Sequence, residues 1–308
     1  MDELLTQLNP EQRVAVTTID GPLLIIAGAG SGKTRVITVR IAYMLSQGIE
    51  PKQILALTFT NKAANEMKHR VKELAGPAAK DLTVSTFHAF GLAVLRRYFR
   101  AVGLRENFTI YDTADQVALL KETAREEGLP PEEIQLSDLI AIFSKIKTGR
   151  TPLSTLSEEY QRLYRSFQSH LRLYNAVDFD DLIVEPARLL QENEKARAHY
   201  QDRFSYIMVD EFQDTSANQY TFLHGLTQKQ RNVCVVGDDD QSIYSWRGAN
   251  YTNLVNFERD YPERLEVKLE QNYRSTGTIL QAANQLIANN TNRKGKELWT
   301  GIESGYPI

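Results

Sequence analysis

The sequence predicts an α/β protein, a parallel sheet flanked by helices, with a helical segment inserted into it. Three observations lead there. Short apolar runs at 23–26, 54–60, 82–86, 205–209, 232–236 and from 265 onward alternate with amphipathic helical stretches. That alternation is the mark of strands buried on both faces and joined by crossover helices. The run at 23–26 leads straight into a glycine-rich turn and a helix. Between about 108 and 176 the apolar runs stop, except for a short 108–111, and helical periodicity takes over.

The elements follow in order. Near the start, Asn9 suits the cap of a helix beginning at Pro10, with Gln12 at its third position. Gln12 has a second reading, since a side-chain amide can pair with the edge of an adenine. The run at 23–26 then ends in Ala27, Gly28, Ala29, Gly30, Ser31, Gly32, Lys33 and Thr34. Small residues here let successive backbone N–H groups converge on a phosphate. Lys33 would reach the β- and γ-phosphates, and the Thr34 hydroxyl would bind Mg²⁺. Alanine replaces the first glycine of this pattern at position 27, which a strand end tolerates because φ is negative there.

A second strand at 54–60 places Thr58, Phe59 and Thr60 at its end, and Asn61 is expected to cap a helix through 74. A third strand at 82–86 ends in Thr86, with Phe87 and His88 after it. In such sheets ligands gather at the carboxyl ends of strands, so aromatics there are either core or an exposed stacking platform. The inserted segment offers helices at 114–127, 132–147 and 157–174, broken at Pro130-Pro131 and at 149–152. Its basic residues Lys145, Lys147, Arg150, Arg162, Arg165 and Arg172 form a solvated face or a phosphate-tracking patch.

The sheet resumes at 205–209, and Asp210 and Glu211 stand at its end. One carboxylate would hold Mg²⁺; the other would orient and deprotonate an attacking water. A further strand at 232–236 leads to Asp238, Asp239, Asp240 and then Gln241, which could bond a γ-phosphate or its attacking water. Tyr244, Trp246 and Arg247 supply aromatics and a cation within a few residues, a mixture suited to stacking on unpaired bases. After the last strand, Arg274 could bring positive charge to the γ-phosphate and Tyr273 could stack on a purine. A helix at 278–289 and a basic turn at 292–296 follow.

The totals narrow the classes. The chain has 308 residues, 42% hydrophobic and 24% charged, with a net charge of −3. Any nucleic-acid contact must therefore come from a local groove, not from the overall field. The single cysteine, Cys234, excludes an internal disulfide and reads as a buried strand residue of a reduced, cytoplasmic protein. No apolar run approaches a membrane span and the first residues do not follow a signal-peptide pattern.

Read together, LNPEQ, AGAGSGKT, LTFTNKAA, STFHAF, DFDDLI, VDEFQDTS, VVGDDDQSIYSWRGA and QNYRS stand in the order found in one family. The chain resembles the N-terminal half of the superfamily 1 helicases of UvrD/Rep/PcrA type, which move 3′ to 5′ on single-stranded DNA. The resemblance implies a RecA-like ATP-binding domain in two parts, 1–108 and 177–277, a helical insertion at 109–176, and the start of a second RecA-like domain at 278–308. It implies ATP and Mg²⁺ as cofactors. Gln12 would read adenine, Tyr273 would stack on it, and Arg35 would flank it. Lys33, Thr34 and Asp210 would hold phosphates and metal. Glu211 would be the base, Gln241 the γ-phosphate sensor and Arg274 an arginine finger. Phe59, Thr86, His88, Tyr244, Trp246 and Arg247 would line the path of the single strand. The implied partners are single-stranded DNA, its junctions with duplex, and the second RecA-like domain, with no membrane and a monomeric state. Members of that family run to about twice this length, so the expectation is weak nucleotide and DNA binding without unwinding. A stand-alone DNA-binding protein switched by ATP is the alternative. A kinase or GTPase on the same fold would need a guanine pocket or an acceptor site, for which the sequence has no motif.

Overall fold

A computed structural model describes residues 1–242, 252–290 and 293–302. The chain divides into two compact units, Met1–Thr86 with His199–Tyr220 and Leu226–Ile308, and Phe87–Ala198 with Thr221–Gly225.

The first unit is built on a six-stranded sheet. Its strands are β1 (Leu23–Ala27), β2 (Ile54–Thr58), β3 (Thr83–Thr86), β6 (Tyr206–Val209), β7 (Val233–Gly237) and β8 (Leu265–Leu269), and their order across the sheet is β3-β2-β6-β7-β1-β8. Every pairing is parallel. Strands β1, β2 and β7 are buried along their whole length, as continuous Val, Ile and Leu runs require when helices cover both faces. Cys234 sits mid-strand, opposite Leu23 and Met208, and is buried.

Strand order decides what the ends of these strands bring together. Strand β7 lies between β1 and β6, with Ile26 level with Gly237 and Val209 level with Val235. The loops leaving β1, β7 and β6 are therefore neighbours at one edge of the sheet. Helices α1 (Asp2–Thr6), α2 (Pro10–Thr17), α3 (Lys33–Ser46) and α4 (Asn61–Ala75) belong to this unit. Helix α2 begins as the sequence suggests, with Asn9 and Gln12 forming a reciprocal capping box. Helix α4 does not: Thr60 is its cap, its side chain accepting from the Ala63 N–H at 3.1 Å, and Asn61 is already helical. Strand β2 stops at Thr58, which leaves Thr60 in the extended conformation a cap needs.

The second unit holds α5 (Phe87–Tyr98), α6 (Thr113–Glu126), α7 (Leu136–Lys147), α8 (Glu158–Leu173) and α9 (Asp181–Glu192). It spans more of the chain than 109–176. Leu119, Leu120, Phe143, Leu163, Phe167 and Leu171 form its core. Two details differ from the sequence reading. The segment after Pro130 is a single 3-10 turn, Pro131–Glu133, so α7 starts only at Leu136. The short strand β4 (Thr109–Ile110) has a partner, β5 (Ala176–Val177), in a parallel pair. Lys147 is no surface cation. Its side chain is 7% exposed and its Nζ lies 2.6 Å from Asp178 and 3.0 Å from Asp181. Burial pushes the Asp181 carboxyl well above the usual carboxylate range, with Asp178 adding to the rise and the Lys147 ammonium opposing it. Helix α5 approaches the α9 backbone at Gly91, where a Cβ would come 1.8 Å from the Leu182 carbonyl oxygen. No helix of the described residues is long and apolar enough to cross a membrane.

Candidate nucleotide-binding site

The loop between β1 and α3 is shaped by its glycines. Gly30 and Gly32 have φ of +69° and +88°, a left-handed conformation that L side chains rarely adopt. Ser31, fully buried, closes the loop on itself by donating from Oγ to the Gly28 carbonyl at 2.7 Å. Gly32 caps α3, so the unpaired N–H groups of the first helical turn and the positive end of the helix dipole face the loop.

This loop forms one wall of a cavity of about 400 Å³. Its lining includes Ala29, Gly30, Gly32, Lys33, Thr34 and Arg35 from the loop and α3, Glu211 from the end of β6, Gln241 from beyond β7, and Arg274 from beyond β8. Glu66 and Arg70, an ion pair one turn apart on α4, complete it. Nothing in the sequence singles out either residue, because an i, i+4 pair on a helix has the look of a solvated face.

Asp210, the chain neighbour of Glu211, is not among the residues that line the cavity. It is 6% exposed. Burial, and then the charge of Glu211, push its carboxyl up to about 6, although Lys33 pulls the other way. Asp214 is raised to about 6 by burial and by Glu211. The Asp210 carboxylate accepts from the Glu211 N–H at 2.9 Å, and Glu211 itself has φ of +51°. Gln213 donates to the Glu211 carboxylate at 2.8 Å and accepts from the Asp238 N–H at 3.0 Å. A glutamine thus ties the end of β6 to the end of β7.

Asp238 links more of the site than its place in a run of acids suggests. Lys33 Nζ is 3.7 Å from it, Gln241 Nε2 donates to it at 2.6 Å, and Lys296 Nζ lies 2.8 Å away. Asp238, Asp239 and Asp240 have the spacing of a cation site, but the Lys296 ammonium sits among them, 2.7 Å from Asp240 and in contact with Asp239. Arg293 adds a bidentate pair on Asp240 at 3.0 and 2.9 Å.

The residues expected around a base lie beside the loop. Gln12 is buried and its amide donates to the Ser31 carbonyl at 2.9 Å. Tyr273 is 48% exposed, its hydroxyl bonded to Asn9 and Gln271 at 3.0 and 2.9 Å. Asn9 therefore bonds both residues, a second task beyond capping that nothing local in the sequence signals. Gly28, also expected at a nucleotide, does not line the cavity. A Cβ there would fall 2.0 Å from Leu298, so its small size serves packing.

The residues expected to meet DNA are divided. Phe59 and Thr86 belong to the first unit, half-buried and buried respectively, and His88 belongs to the second. Burial lowers the His88 pKa, and its ring stands edge-on to Phe179 with centroids 6.4 Å apart. Phe179, 55% exposed, is an aromatic of the DFDDLI segment whose exposure nothing local in the sequence signals. Tyr244, Trp246 and Arg247 lie outside the described residues.

Comparison with known proteins gives the family of the chain. The family model for the UvrD/REP helicase N-terminal domain matches residues 8–262. The ATP-dependent DNA helicase PcrA of Bacillus subtilis (strain 168) is 46% identical over 316 residues, which take in 100% of this chain and 43% of that protein. The PcrA of Staphylococcus aureus (strain Mu50 / ATCC 700699) is 46% identical over 317 residues, again 43% of its length. The chain thus spans less than half the length of the curated relatives it matches.

Proposed function

Since the chain belongs to the UvrD/REP helicase N-terminal domain family, we propose that it is the ATP-binding half of a DNA motor that hydrolyses ATP and moves 3′ to 5′ along a single strand. One observation supports this above the rest. Lys33, Thr34, Glu211, Gln241 and Arg274, scattered over the sequence, line a single cavity of about 400 Å³.

In this reading the loop amides and Lys33 cradle the phosphates. Lys33 exchanges its distant partner Asp238 for a phosphate oxygen. Glu211 orients a water in line with the γ-phosphate and takes its proton, while Gln213 fixes the carboxylate. Gln241 senses the γ-phosphate and Arg274 stabilises its developing charge. Gln12, Arg35 and Tyr273 hold the adenine. Thr34 and Asp210 would hold Mg²⁺. They offer the hard oxygen donors it takes, and the raised pKa of buried Asp210 marks a carboxylate short of positive charge. Bound there, the ion would neutralise charge on the β- and γ-phosphate oxygens. Phe59, Thr86, His88, Tyr244, Trp246 and Arg247 serve the single strand.

Stepping requires two lobes closing on one nucleotide, so the chain alone should bind ATP weakly, hydrolyse it slowly and unwind nothing. The test is ATP binding and hydrolysis by this chain, with and without single-stranded DNA, for wild type and Glu211→Gln. A general base contributes about 10²- to 10⁴-fold. The variant should lose a factor in that range while binding ATP within a few-fold of wild type. Hydrolysis at the wild-type rate would remove Glu211 from its role, and tighter binding of GTP than ATP would reverse the reading of the nucleotide.

A further inference from the structure

Asn272 is 2% exposed and stands in the turn that carries Tyr273 and Arg274. Its amide is used at both ends. Nδ2 donates to the Ala29 carbonyl in the phosphate loop at 2.6 Å. Oδ1 accepts from the N–H groups of Arg274 at 2.8 Å and Ser275 at 2.7 Å. The backbone repeats the link, the Tyr273 N–H donating to the Gly30 carbonyl at 3.0 Å. Contact is close: a Cβ on Gly30 would fall 2.6 Å from Asn272 Nδ2 and 2.9 Å from Arg274 Cβ. Arg274 itself is long and flexible, so where its guanidinium falls depends on where its backbone is held. Fixing its backbone and Cβ against the loop sets in advance the point from which that side chain reaches.

We propose that Asn272 is a positioning residue that sets Arg274 in register with the phosphate loop, so that the guanidinium meets the third phosphate of a nucleotide held by that loop. This rests on the adenine-nucleotide reading above. Asparagine suits the task because one short side chain presents a donor to the loop and an acceptor to the turn. Aspartate keeps the acceptor but sets a carboxylate against the Ala29 carbonyl; alanine loses both.

The measurement is calorimetric binding of ADP and of a nonhydrolysable ATP analogue, each with Mg²⁺, to this chain and its variants. Arg274 touches only the third phosphate, so the readout is the ratio of the two affinities. A hydrogen bond to a charged group is worth about 1.5–3 kcal/mol, so Asn272→Ala should weaken the analogue about tenfold or more and ADP far less. Arg274→Ala should change the ratio equally, and the double variant should change it no further. Asn272→Asp should weaken both ligands together, because it disturbs the loop. Asn272→Ser carries the same measurement if the alanine variant does not fold. A wild-type ratio in a folded Asn272→Ala or Asn272→Ser protein, or equal losses for both ligands there, overturns the proposal. A wild-type chain that binds neither ligand overturns the nucleotide reading and this proposal with it.

Discussion

Replacing Asp210 by asparagine should stabilise the fold and disable the site at once. Burial and the neighbouring Glu211 raise the Asp210 carboxyl from 3.8 to about 6. A pKa unit corresponds to about 1.4 kcal/mol, so holding this group ionised costs the folded state about 3 kcal/mol at pH 7.5. The folded chain binds its proton more tightly than the unfolded chain does. Between pH 4 and 6 it therefore carries more protons, and stability falls as pH rises through that window. Asparagine keeps the oxygen that accepts from the Glu211 N–H and has no charge to lose. Urea unfolding in EDTA, without nucleotide, should show the variant ahead of wild type by about 3 kcal/mol at pH 7.5 and about 1 kcal/mol at pH 4.5. Asp214 titrates in the same range but is present in both proteins, so it largely cancels in the difference. A gap that stays flat between these pH values, or widens toward acid, would refute the argument. Mg²⁺-dependent ATP hydrolysis should meanwhile be lost.

Other perturbations test separate parts of the molecule. Gly91→Ala drives a methyl into the Leu182 carbonyl; the overpacking should cost about 1–3 kcal/mol in urea unfolding despite alanine's better helix propensity. Lys296→Met strands Asp238, Asp239 and Asp240 with one cation fewer. Breaking such a buried pair costs about 3–5 kcal/mol, and the loss measured by urea should shrink at acid pH as the carboxylates protonate.

Much of this molecule could be read along the chain. The parallel strands show as unbroken Val, Ile and Leu runs, and the phosphate loop shows as glycines between a strand and a helix, because both signals are local: burial on two faces and backbone freedom at Gly30 and Gly32. The capping box of Asn9 and Gln12 is equally local. Glu211 after β6, Gln241 and Arg274 are recognisable along the chain only as residue types in an order. That they share a cavity with Lys33 follows from β7 lying between β1 and β6 and from β8 lying beyond β1. Helix and strand patterns do not encode that order.

The long-range polar contacts were illegible for the same reason. Nothing near Asn272 says that its partner is Ala29, nothing near Lys296 says that it neutralises Asp238, and Lys147 looks like any surface lysine until Asp178 and Asp181 close on it. A buried polar group must find its counterpart wherever the chain happens to pass. Residue identity along the chain thus determined the strands, the phosphate loop and the kinds of chemistry on offer. Only the folded arrangement decided which charges meet, because burial strengthens electrostatic interactions and burial is a property of the whole packed structure.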